Sequence, residues 1–392
     1  MTTKNNRNKR FTNIEINLSN LENNIKVLKS HLNRPQTKIM AVVKSNAYGH
    51  GMVDVSKHLI RCGINNLGVA LIEDGIRLRR SGLKIPIYIL GEQPVETVKD
   101  ALKHDFILGI NSYEKAVATS KLCQKYGKKL TVNIKVDTGM NRIGINFRKA
   151  VEEIEKIILL PGLKIEGIFT HFSCANDKDE AYTMLQWGRF KEILSQLENK
   201  NISFRLKHCA NSAAFLRYKE MHLDMVRLGI SIYGVSPFSD DSEGWLVTGN
   251  LEIIKSLKPV LSLKSRVSFV KSIGSGEYIS YGATFKTTRP SVIATVPVGY
   301  ADGYTRLFSN KASVLIEGEY APVVGNVTMD QIMIDVTDIV DKKTITQGTE
   351  VILIGNSKNK KITAYYLANL AGTISYEILC MLKDTIPRIY IN

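Results

Sequence analysis

With 392 residues, 44% of them apolar, the chain is long enough for two domains with substantial cores. Lys and Arg number 53 against 37 Asp and Glu, a net charge of +16, but the basic residues are scattered apart from the leading Met1–Arg10, with no zinc-finger spacing or RNA-recognition aromatic motif, so no specific nucleic-acid binding is expected. No run approaches the roughly 18 apolar residues of a membrane span, and the first thirty residues hold no signal-peptide segment, so the expectation is a soluble, cytoplasmic protein with no membrane partner.

Residues 1–12 read as a flexible basic tail carrying Lys4, Arg7, Lys9 and Arg10. A helix is expected near 18–32. Short β-branched runs then follow at 39–44, 67–71, 85–90, 106–110, 131–136, 164–170, 204–208 and 225–228. Helical spacing fills the gaps, at 51–62, 73–81, 94–103, 113–126, 147–158 and 179–199. Strand and helix in alternation imply parallel pairing with right-handed crossovers. Eight such units point to a closed (β/α)₈ TIM-like barrel over 13–245, with a doubly wound sheet as the rival. After about Asp240 the texture changes. Apolar runs at 259–270, 291–298, 313–316, 331–336 and 350–354 are split by Gly, Asp and Asn, one helix is expected near 363–370, and Pro387–Tyr390 reads as a closing strand. Residues 246–392 are therefore expected to form a mostly β C-terminal domain, making the chain α/β overall.

The five cysteines, at 62, 123, 174, 209 and 380, are odd in number and widely spaced, with no C-x-x-C. No disulfide framework is expected, and the isolated His171-x-x-Cys174 has no second ligand pair, so no metal site is expected either.

A barrel carries its chemistry at the C-terminal ends of its strands. Lys44 closes the first expected barrel strand, in Ala41-Val42-Val43-Lys44, ahead of a turn with Gly49 and Gly51. Such a lysine either reaches water or sits in a pocket, where desolvation favours the neutral amine that forms Schiff bases. Lys135 ends the fifth, with Asp137 to Arg142 beyond. His171 follows the sixth, His208 the seventh, and Arg227 ends the eighth. Each has a structural alternative: a core histidine, a loop ion pair for Arg142, a helix cap for Ser212, a tight turn for Gly229. Their convergence on one rim favours a site. Amides around Ser212, Gly229 and Ile230 suit an anion cradle beside the last two strands. A lysine facing a phosphate cradle matches a cofactor with an aldehyde and a phosphate, such as pyridoxal phosphate.

These motifs resemble the alanine racemase family, the fold-type III pyridoxal-phosphate enzymes, from about residue 13 to the C-terminus. The resemblance rests on Ala41–Gly51, Lys135–Arg142, Thr170-His171-Phe172, His208–Ser212, Met225–Gly229, Ser280–Thr284, Val298–Gly303, Met329-Asp330-Gln331 and Tyr376-Glu377. It implies a homodimer with shared active sites that interconverts L- and D-alanine by a two-base mechanism and supplies D-alanine for peptidoglycan. Lys44 would hold pyridoxal 5'-phosphate and act as base on one face, and Tyr281 of the other subunit would act on the opposite face. Tyr48, Ser212, Gly229, Ile230 and Tyr376 would contact the phosphate. Arg227 would donate to the pyridine nitrogen, with His171 and His208 linked to it. Arg142, Tyr300 and Met329 would meet the substrate, and Lys135 would be a candidate for carbamylation that positions Arg142. The sequence departs from the family pattern at Asn141, Asn326 and Thr328. The alternatives are a racemase of broader range, serine included, and a fold-type III amino-acid decarboxylase, whose members usually place an acid where Arg227 stands. A non-catalytic pyridoxal-phosphate carrier would lack the second domain.

Overall fold

The computed structural model describes residues 10–238, 248–341 and 343–392. The chain forms two compact units, one of residues 21–47 and 52–258, the other of residues up to 20, 48–51 and 259–392.

In chain order the first part of the molecule comprises β1 (Asn13–Asn17), α1 (Leu18–Ser30), β2 (Lys38–Val42), α2 (Met52–Arg61), β3 (Asn66–Val69), α3 (Ile72–Arg80), β4 (Ile87–Ile89), α4 (Val98–His104), β5 (Phe106–Ile110), α5 (Tyr113–Lys125), β6 (Leu130–Asp137), α6 (Ala150–Ile157), β7 (Leu163–Phe169), α7 (Ala181–Asn199), β8 (Leu206–His208), α8 (Ser212–Arg217), β9 (Met225–Leu228) and α9 (Thr248–Ser256). All eight expected barrel strands form. They pair in parallel in the order β9-β2-β3-β4-β5-β6-β7-β8. The seam between β8 and β9 is bridged by the Asp224 N–H to the Lys207 carbonyl (3.1 Å), the Arg227 N–H to the Ala210 carbonyl (3.0 Å) and the Lys207 N–H to the Asp224 carboxylate (2.8 Å). The result is a nearly closed TIM-like barrel.

Side chains alternate across each strand. Met40, Tyr88, Ile107, Leu206 and Met225 form one buried cluster, with Leu90 packed on it. On β6 the register pairs Asn133 with Gly109 and Gly167, and Lys135 with Phe169. Lys135 thus lies in a strand that runs on to Asp137, not at its last residue. The surrounding helices are amphipathic. α2, for instance, buries Met52, Val55, Ser56 and Leu59, the i, i+3, i+4, i+7 stripe of one helix face.

The second unit departs from the expected boundaries. β1 pairs antiparallel with Leu261–Arg266 and parallel with Arg388–Ile391. Ile14 and Ile16 are fully buried there, so an alternating strand inside the expected barrel range 13–245 completes the other domain's sheet. Six strands run in the order 319–322, 313–316, 350–357, 261–266, 13–17, 388–391, with 360–362 on the edge of 350–357. A three-stranded antiparallel sheet joins 269–273, 291–296 and 332–335, and a short hairpin joins 278–279 to 285–286. The expected helix near 363–370 spans Ala364–Ala371, and a second, unforeseen one spans Ser375–Met381.

The expected tail over 1–12 falls mostly outside the described residues. Its last part is not free: Arg10 donates to Asp302, and Thr12, fully buried, meets the Ser265 hydroxyl at 2.9 Å. At the other boundary, residues 246–247 lie outside the described residues. α9, placed by the sequence in the second domain, belongs to the barrel unit, where Asn24 accepts from the Lys258 N–H at 2.7 Å and Asn23 donates to the Ser256 carbonyl at 3.1 Å.

Candidate active site

The side chains singled out in the sequence divide between the two units. β2 ends at Val42, earlier than the expected 39–44, and Lys44 opens a turn of unusual backbone. Ser45, Asn46, Ala47 and Tyr48 all have φ between 51° and 56°. None is glycine, and left-handed helical backbone costs roughly 1–2 kcal/mol per non-glycine residue. Such strain persists only where the surroundings over-determine it, and it gathers at functional sites. Part of the compensation is visible: the Ala47 N–H bonds the Val43 carbonyl at 2.9 Å, and the Asn46 side chain accepts the Met52 N–H at 2.8 Å, which caps the entry to α2. Lys44 is half-buried, and its charge acts on His171.

Arg227 is the hub of the barrel rim. It is 4% exposed, and all its acceptors are neutral: Nη1 donates to His208 Nδ1 at 2.9 Å, and Nη2 donates to His171 Nδ1 at 3.0 Å and to the Thr170 and Cys209 carbonyls at 2.8 and 2.9 Å. A guanidinium has no acceptor atom, so both imidazoles accept through Nδ1 and carry their proton on Nε2. Burial first, and then the charge of Arg227, pushes both histidines well below their ordinary range, which keeps them neutral. Burial also brings Arg227 down to about 10, leaving it charged at neutral pH. His208 stacks on Phe169 with ring centroids 4.9 Å apart, and its Nε2 is buried with no hydrogen-bond partner among the described residues.

Lys135 is 4% exposed. Burial, then the charges of Arg142 and Arg227, lower it to about 7, while Asp137 and Glu92 act the other way. Arg142 itself is exposed, on a loop held by the Asp137 carboxylate, which accepts the Gly139 and Asn141 N–H groups at 2.9 and 3.1 Å. Asn141 has φ 55°, the left-handed backbone that Asn tolerates best after Gly.

Ser212 is not the cap of α8. Asn211 takes that role, accepting the Ala214 N–H at 2.9 Å. Ser212 Oγ is left to accept the Gly229 N–H at 3.1 Å and the Ser231 hydroxyl at 3.0 Å. Ile230 opens a single 3-10 turn, whose first N–H groups have no partner within the turn. Ser212 and Gly229 are thus joined by a hydrogen bond, next to the 3-10 turn that Ile230 opens.

The remaining side chains lie in the second unit. Tyr48, expected within the barrel range, packs there with Tyr376, ring centroids 6.0 Å apart. Burial pushes Tyr376 up to about 12 and Tyr48 higher still, so both stay protonated donors. Tyr281 is 76% exposed, on a 3-10 turn in which Ser280, Gly282 and Ala283 have positive φ. Asn326 clamps this turn, donating to the Tyr281 carbonyl at 2.7 Å and accepting from the Ser280 hydroxyl through its own carbonyl at 2.6 Å. Tyr281 borders a cavity of ≈ 450 Å³ shared with Tyr278, Ser280, Thr328 and Met333. Met329 and Tyr300, 54% and 41% exposed, are held together by the Tyr300 N–H on the Thr328 carbonyl and the Ala301 N–H on the Met329 carbonyl.

Three rim residues escaped the sequence reading. Glu92 follows β4 and accepts from Asn111 and from Lys115, the latter at 3.2 Å. Applying the strand-end rule to all eight strands singles out Glu92 and Asn111. The strained role of Asn46 left no spacing signal.

Among the described residues the rim therefore offers a buried guanidinium with no acidic hydrogen-bond partner, two neutral imidazoles, a buried near-neutral amine and a hydroxyl–amide cradle. That donor set fits a bound anion with a hydrogen-bond acceptor facing Arg227, as the phosphate and pyridine nitrogen of pyridoxal phosphate provide. Residues 16–237 match the family described as alanine racemase, N-terminal domain, and residues 260–390 match alanine racemase, C-terminal domain. Alanine racemase of Halothermothrix orenii is 44% identical over 388 residues, 98% of this chain and 99% of that protein, and that of Clostridium novyi is 43% identical over 96% and 95%. Among solved structures, alanine racemase of Clostridium difficile 630 superposes with a TM-score of 0.89 at 39% identity, over 97% of this chain and 96% of that one. The Bacillus anthracis alanine racemase with bound L-Ala-P gives 0.89 at 36%, over 98% and 95%. Likeness of this extent, running through both domains, settles the kinship: the chain belongs to the alanine racemase family.

Proposed function

We propose that this chain holds pyridoxal phosphate on Lys44 and completes its active site with Tyr281 of a second copy. The family's reaction is the interconversion of L- and D-alanine, an isomerisation whose product D-alanine enters peptidoglycan. Bound pyridoxal phosphate supplies an aldehyde that takes up the amino acid and a ring that withdraws electrons from its Cα. The chain's own residues do the rest.

Racemisation removes a proton from one face of Cα and returns one to the other. Two fixed groups on opposite faces do this without any rotation of the substrate. Lys44 Nζ serves one face and Tyr281 Oη of the second copy the other. The neutral His171 keeps its Nε2–H free of Arg227, so it can donate to a phenolate oxygen. Behind it, the Arg227 charge, itself tied to His208, stabilises that oxygen's negative form. Arg227 donates to the pyridine nitrogen without protonating it, because a guanidinium keeps its own protons. Arg227 would thereby leave the ring nitrogen unprotonated and so limit how strongly the bound ring draws electrons from Cα. Ser212, positioned by the Gly229 N–H on its Oγ, would donate its hydroxyl proton to the phosphate beside the Ile230 amide, and Tyr48 and Tyr376 would donate to it as phenols. Arg142 meets the substrate carboxylate. A carbamate on the near-neutral Lys135 would hold Arg142 by a charge-assisted hydrogen bond. Tyr300 and Met329 border the entrance.

The exposure of Tyr281, Tyr300 and Met329 supports the homodimer, since large side chains left bare in one chain mark an interaction surface. No helix among the described residues is long and apolar enough to cross a membrane, which suits a cytoplasmic enzyme. The observation that carries the reading is the His208–Arg227–His171 chain, buried at His208 and Arg227, which has no carboxylate in it. Where a decarboxylase of this fold usually has an acid at the ring nitrogen, this chain has Arg227. The test is L-alanine in D₂O with enzyme and pyridoxal phosphate. Cα-deuterated D-alanine is expected, whereas release of carbon dioxide would replace this reading with decarboxylation. Serine tested beside alanine measures the range.

A further inference from the structure

On the outer surface of the barrel unit, α1 and α2 bring together three side chains that the racemisation chemistry does not use. His58 lies in the last turn of α2, and Cys62 is the first residue past its end, its N–H still bonding the His58 carbonyl at 3.0 Å, so the two keep helical spacing. Glu22 reaches them from α1. One ligand atom from each, a carboxylate oxygen, an imidazole nitrogen and the thiol sulfur, lies within 4.8 Å of the other two. We propose that Glu22, His58 and Cys62 form a binding site for a zinc-class divalent cation, with water as the fourth ligand.

The donor set matches that cation. Zinc accepts carboxylate, imidazole and thiolate in one tetrahedral shell, at about 2.0–2.3 Å. Those bond lengths place ligand atoms about 3.3–3.8 Å apart, so closing the site needs shifts of roughly 1 Å. Side-chain rotation supplies them, because Glu22 is the outermost member and the other two are already fixed at helical spacing. Calcium or magnesium would need several more oxygen ligands than one carboxylate supplies. No local spacing marks the site, because the third ligand comes from another helix, and the site departs from the expectation that the chain holds no metal.

Two lysines compete. Lys26 pairs with Glu22 at 2.7 Å along α1, and Lys29 donates to the Cys62 carbonyl at 2.8 Å. The Glu22–Lys26 pair is exposed and screened by water, so a divalent cation displaces it. Lys29 occupies only the backbone oxygen and leaves Sγ free to ligate. A bound cation ties α1 to α2, the helix that follows the strained turn after Lys44. That makes it a stabilising clamp on this part of the barrel.

The probe is Co²⁺, which takes zinc sites and reports their geometry in visible bands at longer wavelength than the cofactor absorbs. Titrated into the pyridoxal-phosphate-loaded enzyme under a non-thiol reductant, Co²⁺ is expected to give one equivalent of a tetrahedral, thiolate-bearing spectrum, displaced by Zn²⁺. Cys62→Ser abolishes it. His58→Gln and Glu22→Gln each weaken binding by about tenfold or more. Lys26→Met, which removes the competing charge at an exposed position, tightens it several-fold. Zn²⁺ raises the Tm of the parent enzyme and not that of Cys62→Ser. Absence of the visible bands in the parent enzyme overturns the proposal, as does a spectrum that survives Cys62→Ser, which would place the metal at Cys174 or Cys380 instead. Racemisation rates of all four variants verify that each is folded.

Discussion

Replacing Lys135 with Met removes one buried titration and leaves a side chain of similar length. Lys135 falls from an ordinary 10.5 to about 7 in the folded chain, burial being the largest cause. Between those pH values the unfolded chain binds a proton that the folded chain does not, so stability rises with pH across that window. Below both values the folded state carries a penalty of about 5 kcal/mol, at 1.36 kcal/mol per pH unit. Between pH 6 and pH 9 about 3 kcal/mol of it is relieved. Urea unfolding of the parent enzyme and of Lys135→Met at both pH values, in buffers free of carbon dioxide, isolates the effect. Other titrating groups cancel when the two pH differences are subtracted. The parent is expected to gain about 3 kcal/mol more than the variant on going to pH 9. Adding bicarbonate should flatten the parent's profile, since a carbamate no longer titrates as an amine. Two profiles that run parallel to within about 0.5 kcal/mol would refute a near-neutral Lys135.

Tyr281→Phe should cut racemisation by several orders of magnitude in both directions alike, as an equilibrium constant of one requires, while Cα-hydrogen exchange is lost selectively from the enantiomer whose proton the phenol handles. Mild and equal losses of exchange from both enantiomers would argue for a single base. Ser212→Ala removes a hydroxyl from the phosphate cradle and should weaken pyridoxal-phosphate binding about tenfold or more, as one hydrogen bond to a charged group is worth about 1.5–3 kcal/mol. Fluorescence titration of the cofactor reads this directly. Gly49→Ala places a Cβ 2.3 Å from the Leu379 carbonyl oxygen at φ +81°. It should destabilise the chain by roughly 3 kcal/mol or more, read as a fall in Tm or loss of soluble protein.

Much of this molecule is legible in its sequence because the barrel repeats one rule. The run Phe106–Ile110, for one, is apolar on both faces, as a strand buried between helices and lumen must be, and the helix after it buries Ala116, Thr119, Ser120 and Cys123 along one stripe. Arg227, His171 and His208 were readable as strand-end residues. Their hydrogen-bond order was not, because it depends on which strands are neighbours. The seam between β8 and β9 brings Arg227 beside His208, and β7 adds His171. β1 was missed for a related reason. Asn13–Asn17 is a short alternating strand, and nothing local states that its partners lie at Leu261–Arg266 and Arg388–Ile391, at the far end of the chain. The left-handed turn was hidden too: only Gly49 and Gly51 marked unusual backbone, while the strain falls on Ser45, Asn46, Ala47 and Tyr48.

Four residues past Lys44, the segment Tyr48–Gly51 is built into the second unit. Gly49 passes its carbonyl to the Arg388 guanidinium at 3.1 Å, and Gly51 leaves no room for a side chain beside the Tyr390 hydroxyl. Together with β1, this makes the two units inseparable by any single cut of the polypeptide. A barrel excised alone would carry an orphan strand at its front and a frayed stitch beside its key lysine. Each unit is thus assembled from stretches of chain that the other interrupts.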